Sequence, residues 1–276
     1  MPEGDSIYRA ARTLHTALAG QVVTRFETGL AQLATLDRDE PIAGRTVDQV
    51  AAAGKHLLMT LSGGLVLRTH MRMNGSWHIY RPGERWQMPP RAMRILVATA
   101  EWVAVAFNVY VAEFVRADQM HRHRPVATLG PDLLGDFDPA QALQRVRQGP
   151  ARALHDVLLD QRVMAGMGNV YKSEILFLSR LHPDTAASRV SDEEWLALME
   201  LARRLLRANV AESSGQAIET YRGLRRTTGR MNAEERLWVY SRGGQPCRKC
   251  GSAIASRKDG DDARVTYWCP ACQALR

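Results

Sequence analysis

Lysine is nearly missing from this chain. Of its 37 basic residues only Lys55, Lys172, Lys249 and Lys258 are lysines, and the other 33 are arginines. A GC-rich genome would produce that bias, and it makes every retained lysine a position to examine. Long apolar runs are missing too: nothing approaches the ~18–20 apolar residues of a membrane-spanning helix. The opening Met-Pro-Glu-Gly-Asp has neither the basic nor the apolar region of a secretory signal. Cysteine is scarce, with four residues in two close pairs, which argues for a metal site in a reducing compartment and against a disulfide framework. These absences predict a soluble intracellular protein.

What the chain does have is charge and core. It has 276 residues, 45% of them apolar, enough for one large or two modest domains. Its net charge of +8 and pI near 9.7 point to an acidic partner, most commonly nucleic acid.

Residues 160–178 organise the rest. Apolar residues at helical spacing precede them in Ala151–Leu159 and recur at Val170, Ile175, Phe177 and Leu178. Between lie Gly166 and Gly168, which permit a tight turn and the close approach of another backbone. Asn169 falls where a helix N-cap belongs. A glycine-preceded helix start, with its free N–H groups and positive dipole end, suits a phosphate. Spacing alone leaves an ordinary helix–turn–helix equally open.

Cys247-x2-Cys250 and Cys269-x2-Cys272, eighteen residues apart, have the spacing of a zinc ribbon. Four thiolates close the coordination sphere, so the expected zinc, one per chain, is structural. Residues 236–276 carry eight basic residues against three acidic, a net +5. Arg264 stands five residues before the third cysteine and by itself reads as a solvated ribbon-strand residue, though a guanidinium can make bidentate phosphate contacts that lysine cannot.

The words Leu-Leu-Asp-Gln-Arg-Val-Met-Ala-Gly-Met-Gly-Asn-Val-Tyr resemble the helix–two-turn–helix signature of the formamidopyrimidine-DNA glycosylase/endonuclease VIII family. The Pro2-Glu3 start and the four-cysteine finger resemble that family's two other marks. The resemblance covers nearly the whole chain, thinning over 27–50 and 80–115. It implies an α+β protein: a β-sandwich domain over 1–121, a hinge at 122–139, a helical domain over 140–235 and a zinc-ribbon finger over 236–276. It implies a base-excision-repair glycosylase with lyase activity, in which the Pro2 nitrogen, freed by removal of Met1, attacks the sugar C1′ and forms an iminium. An α-amino group titrates near pH ~8, so part of it is neutral and nucleophilic. Glu3 would protonate the ring oxygen.

The resemblance further assigns Lys55, in Gly54-Lys55-His56, to a phosphate beside the damaged sugar and to proton donation in β-elimination. Arg264 takes the corresponding role in δ-elimination. Gly168 and Asn169 would complete the phosphate contacts. Met73, by its spacing to Gly75 and Ser76, would fill the gap left by an extruded base, while alternation with Met71 equally suits a core residue.

Two departures stand out. Asp5-Ser6 replaces the family's Pro-Glu, either residue making a good N-cap for a helix reaching Ala19 with the stripe Ile7, Ala10, Ala11, Leu14 and Leu18. The Asp-Pro-Arg-Arg-Phe loop that engages the opposite strand is absent from residues 106–114. That absence, and Gly4, lean toward the endonuclease VIII branch and oxidised pyrimidines.

The remaining stretches are read from pattern. Strands are expected at Val22–Phe26, Val47–Ala51, His56–Leu61, Leu65–Met71, Ile95–Thr99 and Val103–Val111, as an antiparallel sandwich or barrel. Beyond the hinge the chain reads helical to about Leu224. Ser191–Glu194 is a capping box for a helix burying Trp195, Leu198, Met199, Ala202, Leu205 and Leu206. Glu174 reads as a helix-surface carboxylate or as a group orienting the proline. Arg222, Arg225, Arg226 and Arg230 read as a mobile loop near a base pocket or a solvated one. The expected partner is double-stranded DNA bearing oxidised bases or abasic sites, met by a monomer in the bacterial cell interior, at the nucleoid. The rival readings are a lyase without base excision, a non-catalytic DNA or RNA binder, and a ribbon that docks on protein.

Overall fold

The computed structural model describes residues 2–211, 225–230, 232, 234–259 and 264–275. The chain divides into two compact units, one built on residues 1–128 and the other on 129–209 with the chain beyond 224.

The first unit begins with helix α1, Gly4–Leu18, whose expected stripe is buried throughout. Its N-cap is Glu3, not Asp5 or Ser6. The Glu3 carbonyl accepts from the Ser6 and Ile7 amides at 3.0 and 3.1 Å, and Ser6 Oγ accepts from the Glu3 amide at 3.5 Å. Ser6 is therefore the third helical residue answering the cap, and Asp5 lies in the first turn, where the helix dipole favours a carboxylate.

Eight strands follow: β1 Arg25–Thr28, β2 Val47–Ala53, β3 His56–Leu61, β4 Leu65–His70, β5 Ser76–Tyr80, β6 Met93–Ala98, β7 Val103–Phe107 and β8 Val111–Arg116. They form two four-stranded antiparallel sheets, β1-β6-β7-β5 and β2-β3-β4-β8, so the expected sandwich is present. The inner faces meet α1 in one core containing Leu14, Leu57, Leu67, Trp77, Ile95 and Ala106.

Three sequence expectations change here. Helix α2, Ala31–Asp39, was not foreseen, because Leu33 is its only buried side chain and no apolar stripe marks it. The expected strand Val103–Val111 breaks at Asn108, whose φ of +54° turns the chain from one sheet to the other. Strand β5 was not among the expected strands. It is buried on both faces: Trp77 and Ile79 enter the core, while Tyr80 joins a second apolar cluster with Phe107, Trp86 and Met88. A strand covered on both sides loses the alternation that would announce it.

A one-turn helix, α3 Arg124–Ala127, closes the first unit, and the chain continues with α4 Pro139–Gln148, the short α5 Leu154–Val157, α6 Asn169–Leu178 and α7 Asp192–Ala211. The helix expected over Ala151–Leu159 is the single turn α5. The expected hinge is not bare linker either: Leu133 is fully buried, and a Cβ on Gly130 would lie 2.4 Å from the Val163 carbonyl oxygen. The capping box holds as read, with Ser191 and Glu194 exchanging amide-to-side-chain bonds of 3.1 and 3.2 Å. The buried face of α7 is the expected one, with Leu205 only partly covered. Strands β9 Ala255–Asp259 and β10 Arg264–Trp268 form the ribbon hairpin, and Val239, Ile254, Cys247 and Cys269 seat the ribbon on Phe177 of α6. Among the described residues no helix is long and apolar enough to cross a membrane.

Candidate functional site

In the first unit, the N-terminus is built for a buried acid. Pro2 is half-buried, and Glu3, immediately after it, is fully buried at the head of α1. Asp5 is fully buried as well, and its Oδ1 accepts from the Ser6 amide and hydroxyl at 2.8 and 3.2 Å. Met1 lies outside the described residues.

Lys55 sits in the two-residue turn between β2 and β3, where Ala53 faces His56. Gly54 takes φ +58° at the first central position, which is why a glycine precedes the lysine. The charge of Lys55 acts on two imidazoles, those of His56 and His70. Burial first, then the charges of His70 and Arg68, push His56 down to about 3; burial and then Lys55 push His70 down to about 4. Both rings are neutral at physiological pH, 5.0 Å apart between centroids. The cations of this corner are therefore Lys55 and Arg68, not the histidines.

Met73 is not a core residue. Met71 is buried in the core, whereas Met73 is 61% exposed. The turn carrying it is fixed by Arg72 at φ +47° and by Gly75, where a Cβ would lie 2.5 Å from the Met71 carbonyl oxygen.

In the second unit, Gly168 is the N-cap of α6 and Asn169 its first helical residue, one position on from the expected cap. Gln161 staples the preceding turns: its Nε2 donates to the Leu159 and Met167 carbonyls at 3.0 and 2.9 Å, and its Oε1 accepts from the Gly166 amide at 3.0 Å.

The first turns of α6 grip the ribbon strand that starts at Arg264. Asn169 Nδ2 donates to the Val265 carbonyl at 2.8 Å, Lys172 Nζ to Thr266 Oγ1 at 2.5 Å, and the Tyr267 amide to Ser173 Oγ at 3.4 Å. Three consecutive residues after Arg264 are thus tied to one helix start. Arg264 itself is exposed at the first position of β10. Lys172 had no role in the sequence reading. Its rarity as a lysine was the available signal, and it is 1% exposed.

Glu174 is not a helix-surface carboxylate. It is fully buried and accepts from the amides of Trp238, Val239 and Tyr240, each at 2.8 Å, and from the Thr227 hydroxyl. Burial pushes its pKa up, while these donors hold the charged form. The basic loop is partly anchored: Arg225 lies 5.0 Å over the Tyr171 ring, Arg226 exchanges bonds with Asn209, and Arg230 pairs with Glu235 at 3.3 Å. Arg222 lies outside the described residues, as do Asp261, Asp262 and Arg276 of the ribbon's charge set.

The Sγ atoms of Cys247, Cys250, Cys269 and Cys272 lie within 4.8 Å of one another, with pairs at 4.0 and 3.4 Å. Thiolates ~2.3 Å from a tetrahedral zinc stand roughly 3.8 Å apart, so the set fits that ion and leaves no position for water.

The chain's sequence matches three family models in turn: the formamidopyrimidine-DNA glycosylase N-terminal domain over residues 1–109, its H2TH domain over 129–220, and the zinc finger found in FPG and IleRS over 244–275. The chain belongs to the formamidopyrimidine-DNA glycosylase/endonuclease VIII family. It is 43% identical to a probable endonuclease 8 2 of Streptomyces coelicolor, across 99% of this chain and 94% of that one. It is 37% identical to the DNA-(apurinic or apyrimidinic site) lyase Nei2 of Mycolicibacterium smegmatis, across 99% of each. A solved Lactococcus lactis Fpg, in complex with DNA containing N7-benzyl-Fapy-dG, superposes with a TM-score of 0.81 at 22% identity, covering 99% of this chain and 100% of that one. Membership places the chain among the DNA-repair glycosylases with lyase activity, and its four cysteines hold that family's structural zinc.

Proposed function

We propose that this protein is a bifunctional glycosylase and abasic-site lyase acting on double-stranded DNA, with oxidised pyrimidines as its preferred bases. The observation that carries the reading is a half-buried proline at position 2 joined directly to a fully buried carboxyl at a helix start. Once Met1 is removed, the Pro2 secondary amine attacks C1′, the base departs, and Glu3 protonates the ring oxygen as the sugar opens to the iminium. The iminium acidifies C2′. Loss of that proton expels the 3′ phosphate, and a second elimination expels the 5′ phosphate, leaving a gap ended by phosphates.

Lys55 in one unit, and Gly168, Asn169 and Arg264 in the other, contribute the phosphate contacts, with Lys55 and Arg264 donating protons to the departing groups. Asn169 contributes through its place at the positive end of α6, since its amide nitrogen already holds the ribbon. Met73 fills the gap left by the extruded nucleotide. Phosphate contacts carry no sequence information, which suits an enzyme that must search any duplex. We place the enzyme, as a monomer, in the bacterial cell interior at the nucleoid.

A lyase without base excision is the second reading, favoured by the relative named an apurinic or apyrimidinic site lyase. The two separate on paired duplexes, one with an oxidised pyrimidine and one with an abasic site. Release of the free base supports the glycosylase; cleavage of the abasic duplex alone leaves the lyase. Pro2→Gly exchanges the secondary amine for a primary one that forms only a neutral imine, so it should slow both reactions and spare DNA binding. Base release and cleavage at the wild-type rate in Pro2→Gly contradict the proposal.

A further inference from the structure

Strand β5 divides its side chains between two faces. Trp77 and Ile79 enter the core shared with α1, on which β5 packs. Ser76, His78 and Tyr80 share the other face and are nearly sealed from solvent, at 4%, 6% and 2% exposed. They form one hydrogen-bonded chain. Ser76 Oγ lies 2.9 Å from His78 Nε2, His78 Nδ1 lies 3.0 Å from the Tyr80 hydroxyl oxygen, and that oxygen accepts from the Gln87 amide at 3.1 Å. Residues two apart on a strand fall on one side, so the alignment follows from the order Ser-x-His-x-Tyr. Two rings cover it: Phe107 meets the His78 ring edge-on at 5.1 Å, and Trp86 stacks on Tyr80 at 6.4 Å.

Proton count fixes the direction of this chain. Burial lowers the pKa of His78, so the ring is neutral and carries a single N–H. With that proton on Nδ1, the Tyr80 oxygen would accept from both His78 and Gln87, and its own proton would have no acceptor among the described residues. Tyr80 is the most deeply buried of the three, so a hydroxyl proton would be stranded away from water. With the proton on Nε2, the Tyr80 hydroxyl donates to Nδ1, and Nε2–H donates to Ser76. Every proton inside the chain is then bonded, and the one left over belongs to the Ser76 hydroxyl. The second arrangement is the stable one. It lines up donors that all point from Gln87 toward Ser76, each polarising the next.

Ser76 is the first residue of β5 and directly follows the turn 71–75 that carries Met73. We propose that the Ser76 hydroxyl donates its remaining proton to a carbonyl oxygen of the extruded base, and that His78 and Tyr80 position it for that contact. The inference deepens the glycosylase reading above and rests on it. Hydroxyl, imidazole and hydroxyl are neutral from end to end, and a neutral donor suits a neutral acceptor. Phosphate falls to Lys55 and Arg264, which bring charge. An oxidised pyrimidine that has lost its ring double bond stacks poorly but keeps its ring carbonyls, so a hydrogen bond is the handle that survives the damage. A base without that carbonyl would leave the hydroxyl unpaired, and this penalty makes the contact selective.

Base release from a duplex with an oxidised pyrimidine, and cleavage of the matched abasic duplex, are timed for wild type, Ser76→Ala and Tyr80→Phe. Ser76→Ala should slow base release about threefold to tenfold, the scale of one lost neutral hydrogen bond. Tyr80→Phe, which touches no substrate, should slow it in the same direction. Both variants should cleave the abasic duplex at the wild-type rate, since no base is left to hold. Equal slowing on both duplexes would assign Ser76 to the sugar–phosphate backbone, and unchanged base release would remove it from the site; either overturns the proposal. Nitrogen NMR of protein labelled in histidine, with His78→Gln to assign the signal, should find the His78 proton on Nε2. A proton on Nδ1 reverses the chain and overturns the proposal independently of activity. Wild type that cleaves the abasic duplex but releases no base overturns the glycosylase reading, and this inference with it.

Discussion

Two carboxylates show how one residue's environment decides its work. Glu3 is fully buried at the head of α1 beside Pro2, where the proposed chemistry needs an acid; Glu174 is ringed by three amides and a hydroxyl, which gives it a structural task. Glu174→Ala would leave those donors without an acceptor in a buried place, a loss of about 3 kcal/mol or more. Urea denaturation of the variant should show that drop, and unchanged stability would mean the ring is not needed. Lys55 and Arg264 act through charge. Each alanine replacement should weaken damaged-duplex binding and lower the slope of log K against log salt by about one. An unchanged slope removes that residue from the phosphate contacts.

The elements carry a pH dependence centred on β3 and β4. His56 and His70 have folded pKa values of about 3 and about 4, below the ordinary ~6.5. The unfolded chain therefore takes up protons first as pH falls. Their contribution to stability is complete above pH ~6.5 and is lost progressively between there and the folded values. Unfolding midpoints measured from pH 7 to pH 4 should fall, and His56→Asn should flatten the fall; a flat wild-type profile would contradict the burial of these rings.

Element by element, the sequence was legible where a motif fixed it. The α6 start, the four cysteines, the α1 stripe and the capping box of α7 were all visible because short spacings set them. It was illegible where packing from both sides or from elsewhere did the work. Strand β5 is covered on both faces, α2 buries a single leucine, and the pairings of Asn169, Lys172 and Ser173 with residues 265–267 span about a hundred positions. No local pattern reports a partner that far along the chain.

At the scale of the molecule, the closed four-cysteine zinc site supplies structure and no position for a reacting group. The ribbon hairpin carries Arg264 and is fastened to α6 through residues 265–267, so losing the metal should release that strand. Chelation should abolish binding to damaged duplex while leaving the Pro2 amine unmodified. Activity that persists in demonstrably metal-free protein would contradict this division of labour.

The central claim is the nucleophile, and borohydride trapping on a duplex with an abasic site tests it most directly, with the N-terminus of the same sample read by mass spectrometry. The account predicts a covalent adduct that maps to Pro2 in chains from which Met1 has been removed. Chains that begin at Pro2 and give no adduct, or an adduct that maps to a lysine, would contradict it.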